Sequence, residues 1–281
     1  MFKYLYANKY YNTIIMNPDI GTIFKAIKKG NETTIKFMLD SGVDFKKKNK
    51  HGTTPLMFAA QKGQEACMKL LLDSGANYET YKYVQSPLIR AVEGGNGACV
   101  KLLLDLGVDV NGIETKYDFT PLYAAVFNGC VECAKVLLDA GANKDLASNG
   151  SDTPLMCAAQ NGEKECMKLL LEAGDDPNKV EEGTTSTPLI YAACKDFDFE
   201  RGNERIMKLL LDSGADINKA DKDGYTPLFT AAANNNEASV KFLIDAGADI
   251  NKADNNDWTP LSIAAENGYE ETVNLLLDAT Y

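Results

Sequence analysis

The sequence repeats one short signature, a serine or threonine followed by Pro-Leu, at a nearly constant interval. The prolines of the seven copies are 32, 34, 33, 34, 39 and 33 residues apart: Pro55, Pro87, Pro121, Pro154, Pro188, Pro227 and Pro260. A hydroxyl followed by proline is typical of a helix start, because the oxygen caps N–H groups and proline fits the first helical position. A period in this range predicts a stack of similar units.

Each copy predicts two helices, and residues 221–253 illustrate the pattern. Leu228 and Phe229 begin a short apolar helix, and residues 234–236 are three asparagines that break it. A second helical pattern follows and ends at Gly247, since glycine readily adopts the left-handed conformation that closes a helix. One such pair cannot bury its apolar faces alone, so the pairs must stack on one another.

The pattern T-P-L-x-x-A-A, followed by L-L-L-D-x-G-A-D-x-N, resembles the ankyrin repeat. The resemblance implies an all-α fold, an ankyrin-repeat α-solenoid of helix–turn–helix units with short inter-repeat hairpin loops. We predict an N-terminal extension over residues 1–15 and an ankyrin repeat domain over residues 16–281. Its eight repeats are 16–48, 49–80, 81–114, 115–147, 148–181, 182–220, 221–253 and 254–281.

Repeat six carries six extra residues between its helices, within residues 194–203. Phe197 and Phe199 alternate with charged residues there. Two interpretations are open: the rings fill a gap beside Ile206 and Met207, or the segment projects as a second contact with a partner. We favour the projection because charge surrounds both rings.

The charge of the chain is −11 and unevenly spread, with a balance of +6 over residues 1–51 and −17 over the remainder. An acidic body argues against nucleic acid as a partner, because phosphate binding requires a positive field. No apolar run is long enough to span a membrane, and residues 1–17 lack the apolar segment of a signal peptide. We therefore expect a monomeric, cytoplasmic protein without membrane insertion.

Seven cysteines are present, and the Cys130-Val-Glu-Cys133 spacing suggests a zinc or redox pair. However, four cysteines share one position, twelve residues after the proline of their repeat: Cys67, Cys99, Cys133 and Cys166. Stacked helices would hold this position about 8–10 Å apart in successive repeats, too far for disulfides or one shared zinc ion. We therefore predict core thiols, seven free cysteines and no metal. An odd cysteine count also fits a reducing compartment.

Catalytic patterns are weak in this sequence. His51 is the only histidine and falls on a predicted hairpin tip, where it would be too exposed to support a catalytic triad. The glycine-rich residues 93–97 resemble a phosphate-binding loop, but no strand precedes them and no Gly-Lys-Ser/Thr follows. We predict no catalytic residues, no enzyme activity and no cofactor.

The resemblance implies a protein-binding surface. In ankyrin-type solenoids the hairpin tips and the outer part of the first helices form a concave face that binds other proteins. Exposed aromatic residues and arginine are the usual anchors of such interfaces. Repeats three and four are richest in them, and the predicted partner-binding residues are Tyr83, Arg90, Tyr117, Phe119, Tyr123, Phe127, Tyr225 and Trp258.

We therefore expect a non-catalytic scaffold that binds one or more proteins through this face. The alternative is a substrate-targeting module or subunit of a larger enzyme or effector, which the end of the chain at Tyr281, before the expected glycine, favours slightly. A host-interaction factor is a third possibility that the residues do not test.

Overall fold

The computed structural model describes residues 19–78, 86–113, 118–148, 152–180, 186–194 and 202–280, and within these ranges it contains sixteen α-helices and no strands. The helices are α1 Ile20–Lys28, α2 Glu32–Asp40, α3 Pro55–Gln61, α4 Glu65–Asp73, α5 Pro87–Glu93, α6 Gly97–Asp105, α7 Pro121–Phe127, α8 Val131–Asp139, α9 Pro154–Asn161, α10 Lys164–Glu172, α11 Pro188–Cys194, α12 Gly202–Asp212, α13 Pro227–Ala233, α14 Glu237–Asp245, α15 Pro260–Glu266 and α16 Glu270–Asp278. The predicted all-α fold of helix pairs is confirmed. The predicted N-terminal extension and most of the repeat-six insertion lie outside the described residues.

The predicted helix starts are confirmed in all seven copies of the signature. In each copy the serine or threonine oxygen accepts the backbone N–H of the residue three positions on. Thr226 Oγ1, for example, accepts from Phe229 N at 3.0 Å. The predicted glycines after the second helices all have positive φ: Gly42, Gly75, Gly107, Gly141, Gly174, Gly214 and Gly247.

The helices form two compact units divided between Ala142 and Asn143. In the first unit, the first helices α1, α3, α5 and α7 pack in succession, and so do the second helices α2, α4, α6 and α8. In the second unit the corresponding series are α9, α11, α13, α15 and α10, α12, α14, α16. Each unit therefore buries its apolar side chains between neighbouring helix pairs, as a repeat fold requires.

The core residues occupy the same positions from pair to pair. The leucine after proline is buried in six first helices, at Leu56, Leu88, Leu122, Leu155, Leu189 and Leu228. A leucine is buried in seven second helices as well, at Leu71, Leu103, Leu137, Leu170, Leu210, Leu243 and Leu276. Complete burial of one leucine contributes about 2 kcal/mol, so the repeated leucines together stabilise the packing of neighbouring pairs.

Asparagines that follow the second helices connect neighbouring loops in the second unit. Asn178 Oδ1 accepts the N–H of Asp216 at 2.7 Å, and Asn218 Oδ1 accepts the N–H of Asp249 at 2.9 Å. Because these N–H groups lie one repeat further along the chain, the bonds fix the spacing between successive loops as well as satisfying the backbone.

The hairpin of residues 221–225 touches the next hairpin closely at Gly224. This glycine has φ +88°, and a Cβ added there would lie 2.7 Å from Asn255 N and 2.8 Å from Asp254 Cα. The neighbouring atoms are backbone, so they cannot swing away as a flexible side chain could. Asn255 also donates its backbone N–H to Asp223 O at 3.1 Å and its Nδ2 to Lys222 O at 2.8 Å.

Gly224→Ala should therefore destabilise the protein more than Gly247→Ala. Gly247 also has φ +88°, but a Cβ there would meet nothing within 4 Å. Both variants force alanine into the left-handed region at a cost of about 1–2 kcal/mol. We expect Gly224→Ala to cost about 1–3 kcal/mol more because of overpacking. Urea denaturation measures both, and equal losses would contradict the close hairpin contact.

One core position departs from the apolar pattern. The residue after the closing glycine is Val43, Ala76, Val108, Ala142, Ala215 or Ala248 in other repeats, but it is Asp175 in repeat five. Asp175 is only 6% exposed, and its Oδ2 has no hydrogen-bond partner. Burial raises the pKa of this carboxyl to about 6, against the opposing effect of Lys144 and Lys179 and with a contribution from Asp145.

Asp175→Ala should stabilise the protein above pH 6 by about 2–3 kcal/mol, because a pKa displaced by about two units corresponds to this energy. The carboxyl has a higher pKa in the folded than in the unfolded chain, so its ionisation lowers stability as pH rises from about 4 to 6. The gain from Asp175→Ala should therefore disappear below pH 4. Denaturation across pH 3.5–8 measures it, with Asp175→Asn as the control that removes the charge and keeps the shape; a gain independent of pH would contradict the assignment.

Candidate partner-binding surface

Two hairpin tips in the second unit hold aromatic residues by the same turn. Asp221 N donates to Tyr225 O at 3.0 Å, and Asp254 N donates to Trp258 O at 2.8 Å. The side chain of the first residue reinforces each turn, because Asp221 Oδ1 accepts from Tyr225 N and Asp254 Oδ1 accepts from Trp258 N, both at 2.8 Å. Tyr225 and Trp258 are thus presented by rigid turns.

A cavity of about 330 Å³ lies beside these hairpins and between α13 and α15. Its walls include Tyr225, Phe229, Thr230, Asp254, Trp258 and Ile263. The Tyr225 ring stacks on the buried Phe229 ring with centroids 4.7 Å apart and planes 3° apart. Trp258 remains 37% exposed. The cavity therefore has aromatic walls, a carboxylate among its lining residues and an exposed indole.

Three predicted residues come together in the first unit and form an aromatic patch: Phe119, Tyr123 and Phe127. The Phe119 ring lies 4.6 Å from that of Tyr123 and 5.7 Å from that of Phe127, measured between centroids. Tyr123 is only 6% exposed, whereas Phe127 is 50% exposed. Tyr123 therefore supports the patch from the core, and Phe127 offers the accessible surface.

The other predicted residues are placed differently. Arg90 lies on α5, and its Nη1 donates to Glu93 Oε2 on the same helix at 3.1 Å. Its Nε is buried without a hydrogen-bond partner. Tyr83 and Tyr117 lie outside the described residues.

Sequence reasoning missed Phe229 and Ile263 as cavity residues. Phe229 lies two residues after its proline, the position that Tyr123 occupies in repeat four, so alignment of the repeats contained a usable signal. Ile263 carried no such signal, because it lines the cavity only through the packing of α15 against α13.

The prediction of seven free cysteines is wrong. Cys130 and Cys133 form a disulfide, with their Cα atoms 5.3 Å apart. The predicted distance applied to Cys133 and the equivalent cysteines of neighbouring repeats. The cysteine that bonds to Cys133 is instead Cys130, which lies three residues earlier in the same repeat. The other part of the prediction is confirmed, because Cys67, Cys99, Cys133 and Cys166 are all buried.

In the parts of the chain that the structure describes, no three histidine, cysteine or acidic side chains are grouped so that they could hold a metal ion. No helix in those parts has both the length and the apolar character needed to cross a membrane.

A family model described as ankyrin repeats (three copies) matches residues 1–82, 79–148, 143–221 and 198–281. The chain belongs to the ankyrin repeat family. Ankyrin repeat domains generally mediate protein–protein interactions, and their fold is typically non-catalytic.

Solved structures are similar to this ankyrin repeat protein. The ankyrin repeat domain of human ASB11 is 30% identical with a TM-score of 0.68, and the match covers 81% of this chain and 98% of that domain. The ankyrin repeat domain of Bcl-3, a member of the IkappaB protein family, is 26% identical with a TM-score of 0.66, covering 80% and 99%. No curated protein shows significant sequence similarity to the chain.

The aromatic patch should separate into core and surface residues on mutation. We expect Tyr123→Ala to cost about 3–5 kcal/mol, because it removes a buried aromatic ring. Phe127→Ala should cost about 1 kcal/mol, the size of a contact between aromatic rings at the surface. Chemical denaturation of both variants checks this difference, and similar losses would place Phe127 in the core.

Proposed function

We propose that this ankyrin repeat protein is a non-catalytic scaffold that binds other proteins through its hairpin tips and first helices. The observation that carries the proposal is the cavity between α13 and α15, whose walls include Tyr225 and Trp258. Tyrosine and tryptophan at well-packed sites contribute a large share of binding energy in protein interfaces. The hairpin bonds hold both residues in place before a partner arrives, which lowers the entropy lost on binding.

The charge of the second unit favours a basic partner segment. Residues 143–281 contain 26 acidic and 12 basic residues, a formal balance of −14. Aromatic faces attract lysine and arginine side chains, and an acidic surface accelerates the approach of a basic protein. We therefore propose that a partner inserts a lysine or arginine side chain at the Tyr225–Trp258 cavity.

The aromatic patch of the first unit is a second proposed contact. Phe127 is accessible and lies against Phe119, so a partner could cover both rings with an apolar side chain. The proposed binding residues also include Arg90, Tyr83 and Tyr117. We propose that the protein acts as a monomer.

The proposed compartment is reducing, as the cytoplasm is. Five of the seven cysteines form no disulfide, namely Cys67, Cys99, Cys157, Cys166 and Cys194. Exported proteins generally pair their cysteines, whereas cytosolic proteins keep them as thiols.

Trp258→Ala should weaken partner binding by about 2 kcal/mol, as loss of an interface anchor does. The partners are the proteins that the unmodified chain captures. Affinity capture with mass spectrometry identifies the partners, and titration of each purified partner measures the affinity. Trp258 is the only tryptophan, so its fluorescence also reports on binding at the cavity. Binding should weaken with added salt, since screening reduces attraction between exposed charges.

Leu277→Ala is the matched control, because Leu277 lies in the same unit on α16 and is similarly exposed at 40%. It should bind like the unmodified protein. Equal affinity of the Trp258→Ala and Leu277→Ala variants for every captured partner would contradict a binding site at the cavity.

A further inference from the structure

The Cys130–Cys133 pair lies at the N-terminus of α8. Cys130 is the residue that caps this helix, and Cys133 is three residues further on, in its first turn. Their Cα atoms are 5.3 Å apart, inside the range in which two cysteines bond without backbone movement. The two sulfurs are bonded in this structure.

The pair is unique among the repeats with a buried cysteine at the position of Cys133. Three residues before Cys67, Cys99 and Cys166, the chain has Gln64, Asn96 and Glu163. Burial is the main cause that raises the pKa of the Cys99 and Cys166 thiols to about 11, and nearby glutamates add to it. These thiols therefore stay protonated and poorly reactive at neutral pH.

Cys130 replaces a residue that has a structural task in other repeats. At the same position, Asn96 Nδ2 donates to Ala60 O at 3.0 Å, and Asn236 Nδ2 donates to Ala193 O at 3.3 Å, both one repeat earlier. A cysteine has no amide with which to make such a bond. Repeat four therefore lacks this asparagine hydrogen bond to the preceding repeat and has a sulfur three residues before Cys133 instead.

The environments of the two sulfurs differ. Cys130 is half-buried, and its Sγ accepts the backbone N–H of Cys133 at 3.2 Å. Donation from N–H groups at a helix N-terminus favours the thiolate, which is the nucleophile in thiol–disulfide exchange. Cys133 is fully buried. Cys130 is thus the more exposed residue and its sulfur accepts a helix N–H, whereas Cys133 is shielded but within reach of that sulfur.

We propose that Cys130 and Cys133 form a reversible dithiol–disulfide site, in which Cys130 exchanges with low-molecular-weight disulfides and Cys133 completes the reaction. The Cys130 thiolate attacks one sulfur of the small disulfide, whose S–S bond breaks and releases one thiolate. A mixed disulfide on Cys130 results. Cys133 then gives up its proton, attacks the Cys130 sulfur and expels the second thiolate.

The electrons and protons balance. Two protein thiols lose two electrons and two protons, and the small disulfide takes up both and becomes two thiols. Reduction runs the same steps backwards with two low-molecular-weight thiols. A disulfide in a reducing compartment is usually transient, which agrees with a reversible site.

The location gives the bond a local consequence. Residues 128–130 connect α7 to α8, and Phe127, the exposed ring of the aromatic patch, lies three residues before Cys130. Oxidation closes a covalent ring over the first turn of α8, directly beside the end of α7. The disulfide therefore lies next to one of the proposed contact surfaces.

The test uses the chain of residues 1–281 with Cys194→Ser, because Cys194 is exposed and would react independently. The reduced protein is equilibrated with mixtures of glutathione and glutathione disulfide, quenched in acid, alkylated after unfolding and weighed by mass spectrometry. We expect six alkylated cysteines in the reducing mixtures and four in the oxidising ones, with return to six after dithiothreitol. Six alkylated cysteines in every mixture would overturn the proposal.

Two further variants assign the roles. Cys133→Ser should accumulate one glutathione adduct on Cys130, because no second sulfur remains to release it. Cys130→Ser should acquire no adduct on Cys133. The opposite pattern, with the adduct on Cys133, would overturn the assignment of Cys130 as the exchanging sulfur.

We expect both serine variants to fold, although a serine at the position of Cys133 leaves its hydroxyl buried without a hydrogen-bond partner, as the Oγ of Ser239 is. Ser239 occupies the position of Cys133 in repeat seven and is fully buried there, and serine is a preferred residue at the start of a helix. Circular dichroism of each variant verifies the helical content before the exchange reactions are interpreted.

Discussion

The structure depends on the apolar contact between one helix pair and the next. Most first helices have only seven residues, such as α7 and α13, and helices this short are not stable alone in water. They persist because the leucine after the proline is buried in six of the seven copies of the signature. The hydroxyl cap fixes where each helix begins. The leucine therefore occupies the same position in the first helix of successive repeats. Stacking and capping therefore act together, and neither alone would specify the fold.

The candidate surface follows from the same periodicity. Once the proline fixes the start of the helix, the residue two positions earlier is fixed at the end of the hairpin. Tyr225 and Trp258 share this position in adjacent repeats, so the turns bring both to one cavity. The helix pairs are similar from repeat to repeat, but the residue two positions before the proline differs. It is Thr53 in one repeat and Asp152 in another. Binding specificity can thus change without any change in the helices that support it.

Asp175 and Cys133 both occupy buried positions of the repeat, with different consequences. Asp175 places a carboxylate where other repeats have alanine or valine, and its Oδ2 finds no partner. Because burial raises its pKa to about 6, we expect its ionisation to lower stability at neutral pH. Cys133 suits its buried position, since a thiol is a small apolar group, and only the neighbouring Cys130 adds chemistry to it. A residue's position in the repeat therefore predicts its burial better than its reactivity.

The sequence by itself determined the helix pairs, their starts at Ser/Thr-Pro-Leu, their closing glycines and the buried leucines. Each of these depends on a local rule or on a period of constant length, and both can be recognised without coordinates. Only the tertiary structure showed that Ile263 reaches the cavity of Tyr225, that Tyr123 is core while Phe127 is surface, and that Cys130 bonds to Cys133. These three findings depend on distances between atoms and on the exposure of side chains. Both are set by how the helices pack and by the geometry of the turn before α8. The spacing of residues along the sequence does not give either of them.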